Sequence, residues 1–288
     1  MLPTFEFHSA PDLNSCLDVM ASESDIAPIA GGTNLVADMR GGRLQPKSVI
    51  DIWPLADLAY IRRDNGHVVI GGRSTLTDVL ESTLLPEAGG QSLIASAEIF
   101  ASPLIRNRAT VAGNLADASP AADLAPPLLA LNAEVMLRSK HGLRTLPLEE
   151  FFLGPRQTVR QADELLAEIR YELPPAGAYD KFLKLGLRWE DAISLVSVAV
   201  HLELDGDVCQ TARIALGAVA PRPIRAKNAE AILVGERFTE ESIRQAASIA
   251  SAEDATPISD VRGSAEYRRW MVEVMVRRAL LLKLKEME

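Results

Sequence analysis

At 288 residues the chain is long enough for two ordinary domains, each able to close a core without disulfides or metals. Hydrophobic residues at 48% and charged residues at 24% match soluble globular proteins and exclude a disordered or fibrous chain. The net charge of −9 excludes tracking along nucleic acid, which needs clustered Lys and Arg, so an anionic ligand has to be held locally.

Cys16 and Cys209 are too few and too far apart for an iron–sulfur cluster or structural zinc site within the chain. The opening Met1-Leu2-Pro3-Thr4-Phe5 has neither a basic nor an apolar signal region, and no apolar run reaches membrane-spanning length. A cytoplasmic setting without a membrane span is therefore expected.

Thr4 to His8 alternates as a short strand, and Leu13, Cys16, Leu17 and Met20 fall at helical spacing. The apolar run Ile26 to Ala30 leads into Gly31-Gly32-Thr33-Asn34, and Ser48 to Ile52 reads as a buried strand that closes a first small α/β unit near Trp53. Strand-like runs at 59–62 and 67–70 flank the hairpin turn Asp64-Asn65-Gly66. Helices are predicted at 75–83 and 90–99, then a long Gly- and Ala-rich loop over 101–122, a helix at 123–131 and strands near 133–138 and 164–173. Pro174-Pro175-Ala176-Gly177 reads as a linker. Beyond it, strands at 179–187, 194–204 and 208–219 suit an antiparallel meander, and helical periodicity covers 226–235, 240–252 and 265–285.

The chemical signals are Ala30-Gly31-Gly32-Thr33-Asn34 and Thr110-Val111-Ala112-Gly113-Asn114-Leu115. Glycine there lets backbone N–H groups approach phosphate oxygens, and Thr33, Thr110 and Asn114 add neutral side-chain partners suited to an acidic protein. Neither loop has the Gly-x-Gly-x-x-Gly pattern of a Rossmann unit, and either one alone reads equally well as a tight turn. Asp123 fits two roles, capping the helix that follows or accepting hydrogen bonds from a ligand's hydroxyls. The four histidines show no metal-ligand spacing, Ser194 and Ser197 lack a nucleophile setting, and Glu149-Glu150 reads as a solvated helix start.

Taken together, these loops resemble the FAD-binding medium subunit of the xanthine dehydrogenase and carbon monoxide dehydrogenase family of molybdenum hydroxylases. Further resemblance lies in Ser102-Pro103-Leu104-Ile105-Arg106-Asn107, in Ser119-Pro120-Ala121-Ala122-Asp123, in Phe151 to Thr158 and in Asp260 to Arg269. The resemblance implies an α+β protein. A two-part FAD-binding domain of the vanillyl-alcohol-oxidase-like type spans 1–175, with subdomains about 1–53 and 54–175. A C-terminal α+β domain, a three-stranded antiparallel sheet with helices, spans 178–288.

The cofactor-binding residues implied by the resemblance are Ala30, Gly31, Gly32, Thr33, Asn34, Phe100, Ala109, Thr110, Gly113, Asn114, Asp117, Ser119, Asp123, Ile169 and Lys184. In relatives the two loops hold the pyrophosphate, Asp123 matches a carboxylate near the ribityl or phosphate region, Phe100 an aromatic near the isoalloxazine, and Lys184 a cation near the flavin. Phe100 reads alternatively as a core residue and Lys184 as a solvated strand residue. Ala112 departs from the commoner glycine while Gly113 and Asn114 stay intact.

The implied partners are a large subunit with the molybdenum cofactor, a small subunit with two 2Fe-2S clusters, and an external electron acceptor, assembled as a dimer of heterotrimers. No side chain of this chain needs to act as a nucleophile or base. A self-sufficient FAD-dependent oxidoreductase acting directly on a small molecule stays open as the alternative, and a scaffold that has lost flavin would predict damaged loops.

Overall fold

The computed structural model describes residues 1–188 and 191–287. The chain begins with β1 (Glu6–Ser9), α1 (Leu13–Ser22), β2 (Ile26–Ile29), α2 (Leu35–Arg40) and β3 (Ser48–Asp51). Both β1 and β2 pair in parallel with β3, so the sheet order is β1-β3-β2. Asp12 starts α1 by accepting the N–H of Ser15 at 2.8 Å. The predicted stripe Cys16, Leu17 and Met20 then packs on Ile26, Ile50 and Ile52.

The hairpin of β4 (Ile61–Asp64) and β5 (His67–Gly71) turns through Asn65 and Gly66, both at positive φ as a tight two-residue turn requires. Its first strand starts two residues later than the sequence suggested. Next come α3 (Leu76–Glu81) and α4 (Gln91–Glu98). The stretch 101–122, expected as a loop, instead contains α5 (Pro103–Arg106) and α6 (Val111–Ala116), of four and six residues. Helices this short complete too few turns to show a hydrophobic period.

Then follow α7 (Ala125–Ala130), β6 (Glu134–Ser139), β7 (Gly142–Pro147), α8 (Leu148–Phe151), β8 (Phe152–Gly154), β9 (Gln157–Thr158) and β10 (Leu165–Glu172). Strands β4, β5, β10, β6 and β7 form one antiparallel sheet in that order. Its core gathers Val68, Ile70, Val135 and Ile169 with Leu93, Leu115, Leu128 and Phe151 from the helices.

The third sheet runs β11 (Tyr179–Gly186), β12 (Ser194–Asp205), β13 (Val208–Gly217) and β14 (Ile224–Arg225). The expected three strands are present. The fourth, pairing Ala215 with Arg225 and Leu216 with Ile224, corrects the three-stranded expectation. Two residues cannot display alternation, so β14 was invisible in the pattern. Helices α9 (Lys227–Leu233), α10 (Glu240–Ile249) and α11 (Ala265–Met287) complete the chain.

One face of this sheet buries Val198, Val200 and Leu202 against Ile243, Val272 and Val276. The opposite face gives Phe182, Ala199 and Ala215 to the core of the preceding sheet. That seam also holds charges. Asp180 accepts the N–H of Ser92 at 2.8 Å, and burial pushes its carboxyl up to about 7.

Candidate functional site

The first glycine loop leaves the end of β2 and enters α2. A Cβ on Gly31 would overlap the Arg108 carbonyl, so only glycine lets the two loops touch, and Gly32 holds φ +71. The helix begins with Val36 N–H donating to Gly32 at 3.0 Å and Asp38 N–H to Asn34 at 2.8 Å. Among the described residues, none of the N–H groups of Gly31, Gly32, Thr33 and Asn34 has a protein acceptor. Successive open amides of this kind are the raw material of an anion cradle.

The second loop is built differently. Leu76 N–H donates to Ala109 and Val111 N–H to Ser74, both at 3.0 Å, tying the loop to the start of α3. Thr110 caps α6 by accepting the N–H of Gly113 at 3.0 Å, and Asn114 N–H donates to the Thr110 carbonyl at 3.0 Å. A Cβ on Gly113 would lie 2.7 Å from Thr110 Oγ1. Among the described residues the Asn114 Oδ1 is buried without a partner, an acceptor whose capacity no protein donor meets.

Three arginines fasten the surroundings. Arg108 stacks over the Trp53 ring at 3.7 Å, with Arg73 also over it at 4.9 Å. Arg106 donates to the carbonyls of Glu98, Phe100 and Ala101 at 3.3, 2.9 and 3.0 Å, holding the turn at Phe100 where Ala101 takes φ +40. Asn107 accepts the Thr77 hydroxyl at 2.6 Å.

Between the loops lies a cleft of about 570 Å³. Ala30, Gly31, Gly32, Thr33, Asn34, Phe100, Ala109, Thr110, Gly113, Asn114 and Asp117 all line it. Ser119, Asp123, Ile169 and Lys184 do not. Ser119 Oγ accepts the Ala121 N–H at 3.3 Å, and Ile169 is fully buried in β10.

Asp123 does not cap α7, whose N-cap is Leu124 without a side-chain bond. Its carboxylate instead binds Lys184 Nζ at 2.7 Å and the Ser194 hydroxyl at 2.5 Å. Both side chains of the ion pair are 7% exposed, so Lys184 is not a solvated strand residue. Burial raises the Asp123 pKa, while the Lys184 ammonium and Ser194 hydroxyl pull it down. This cluster satisfies itself at the seam between β11 and the residues before α7.

Sequence reading missed Asp38, Arg43, Arg156 and Arg160, which also line the cleft. Asp38 is 2% exposed although it sits on a helix, because Arg43 takes one of its oxygens and Arg156 the other. The available signal was its position beside buried Met39 on the inward face of α2. Arg156 spans Asp38 at 2.7 Å and Asp117 at 3.1 Å. Arg160 is turned to the carbonyls of Gln161 and Glu164 at 2.9 and 2.7 Å. The fold also brings His8 beside Glu6 and Glu23, with one ligand atom of each within 4.8 Å, a grouping that sequence spacing did not reveal.

Residues 3–174 match the family described as the FAD binding domain in molybdopterin dehydrogenase, and residues 181–282 match the CO dehydrogenase flavoprotein C-terminal domain. The chain belongs to this FAD-binding subunit family. It is 33% identical to the carbon monoxide dehydrogenase medium chain of Hydrogenophaga pseudoflava, covering 96% of each chain. It is 31% identical to the nicotine 6-hydroxylase medium subunit of Paenarthrobacter nicotinovorans, covering 97% of each.

Among solved structures, the H. pseudoflava carbon monoxide dehydrogenase lacking the Mo-pyranopterin moiety superposes with a TM-score of 0.93 at 33% identity, over 97% of both chains. Quinoline 2-oxidoreductase from Pseudomonas putida 86 gives 0.90 at 27% identity, over 98% of this chain and 97% of that one. The chain is thus an oxidoreductase-family FAD-binding subunit related to the medium subunits of molybdenum hydroxylases. Membership also gives the more distant resembling stretches a physical setting. Arg268 donates to the carbonyls of Leu195 and Ala218 at 3.0 and 2.8 Å and to Asp260 at 2.8 Å, while Ala218 N–H donates to Pro120 at 2.7 Å. The Ser119–Asp123 and Asp260–Arg269 stretches therefore meet across Ala218.

Proposed function

We propose that the cleft between the glycine loops holds FAD and that this chain relays electrons within a molybdenum hydroxylase. The observation that carries the binding site is the set of unmet polar groups. Among the described residues, four consecutive amides without acceptors and a buried Asn114 Oδ1 without a donor belong to residues lining one cleft. The amides of Gly31 to Asn34 would hold the diphosphate, with the Thr110 hydroxyl as a further donor. Phe100 offers an aromatic face for the planar ring. The eleven cleft residues form the binding site in this reading, while Asp123, Lys184 and Ser194 brace the seam behind it.

A bound flavin supplies exchange of one or two electrons at a time. The chain's own residues bind and orient the cofactor and do no covalent chemistry. Electrons would arrive from a small subunit carrying two 2Fe-2S clusters, after a large subunit with the molybdenum cofactor has hydroxylated the substrate, and leave to an external acceptor. The natural assembly in this reading is a cytoplasmic dimer of heterotrimers.

The test is purification of the tagged full chain from its native host, with a visible spectrum and identification of the cofactor released on denaturation. Flavin and iron–sulfur absorbance, released FAD and co-purified molybdenum are expected. FAD without iron or molybdenum would remove the relay role, and no flavin even after addition of FAD would remove the binding site.

A further inference from the structure

The two glycine loops touch where Gly31 lies against the Arg108 carbonyl. A second connection lies beyond them, between the helices they lead into. Arg156 Nη1 reaches Asp38 Oδ2 on α2 at 2.7 Å and Asp117 Oδ1 at the C-cap of α6 at 3.1 Å. Its own backbone is fixed, with φ +58 and its N–H donating to the Ala118 carbonyl at 2.9 Å. Arg43 occupies the remaining oxygen of Asp38, so this buried carboxylate is paired on both sides.

Both contacts come from one nitrogen, Nη1, whose two hydrogens can serve the two carboxylates at once. We infer that Arg156 is a positioning residue for the flavin cradle: by holding Asp38 and Asp117 together it sets the spacing of the two glycine loops and hence the affinity for FAD. The inference rests on the reading that the cleft holds FAD.

Arg156 also lines the cleft, so direct attraction of the diphosphate is the competing role. The two roles predict opposite signs at Asp38. Removing a negative charge from the cleft strengthens binding of an anion if Arg156 acts on it directly. The same change weakens binding if the Arg156–Asp38 pair maintains the cradle.

The experiment is a double-mutant cycle on the full chain, stripped of cofactor and titrated with FAD by flavin fluorescence, using Arg156→Gln, Asp38→Asn and both together. Thermal melting of each stripped variant checks folding. Each single change is expected to weaken FAD binding about tenfold, with the double variant falling about tenfold and not about a hundredfold, because both remove the same contact.

Tighter binding by Asp38→Asn or additive losses would each overturn the clamp. A wild-type chain that binds no FAD would overturn the cleft reading itself. Wild-type binding with an unchanged Arg156→Gln would overturn only the positioning role.

Discussion

In the Gly31–Asn34 loop every amide is left open among the described residues, whereas in the Thr110–Asn114 loop three of the five are bonded. The first offers four amides with no protein acceptor among the described residues. In the second, the amides of Val111, Gly113 and Asn114 are already bonded, and those of Thr110 and Ala112 have no protein acceptor among the described residues. Glycine serves the two loops for different reasons. Gly31 permits one backbone to rest on another, and Gly113 clears space for the threonine that caps its own helix. Similar Gly-plus-polar signatures thus encode two kinds of loop, one with all its amides open and one with most of them bonded.

The strongest way to break this comparison is Gly31→Ala. Its methyl group would collide with backbone at Arg108, which cannot swing aside as a side chain can. Overpacking of this kind is expected to cost about 3 kcal/mol of stability, read by denaturant melting, together with loss of FAD. Stability and flavin content equal to the parent would mean that the loops do not meet as described.

Thr110→Ala should act more gently. It removes the cap on α6 and leaves the first loop intact, so a loss of about 1 kcal/mol in stability is expected. Flavin affinity should weaken with retention of the fold, and Thr110→Ser should restore both. A serine variant as weak as the alanine one would show that the methyl group, not the hydroxyl, does the work.

Much of this architecture was legible beforehand, and the reasons differ by element. The stripe Leu13, Cys16, Leu17 and Met20 repeats over a full ten-residue helix, and Asn65-Gly66 supplies the two positive φ angles of its hairpin, so both read directly. Helices α5 and α6 and strand β14 did not, because four, six and two residues carry no period. At the cleft the glycine loops were readable because glycine marks close backbone approach.

The cleft's charges were not readable in the same way. Asp38 and Arg156 look like solvated surface in one dimension and become partners only when residues far apart in sequence are brought together. Asp123 and Lys184 pose the opposite case. Sequence resemblance grouped them with the ligand site, while the fold gives them to each other in a buried pair. A polar side chain whose bonding capacity is already met inside the protein has little left for a ligand; one left open at a cleft is where a ligand is expected.

Amide hydrogen exchange of the full chain, measured with and without FAD, tests the central claim most directly. Gly31 to Asn34 should exchange fast in the stripped protein and slow strongly when FAD is added. The already bonded amides of Val111, Gly113 and Asn114 should be protected beforehand and change less. Protection that leaves Gly31 to Asn34 unaffected, or that appears instead around Asp123 and Lys184, would contradict the account.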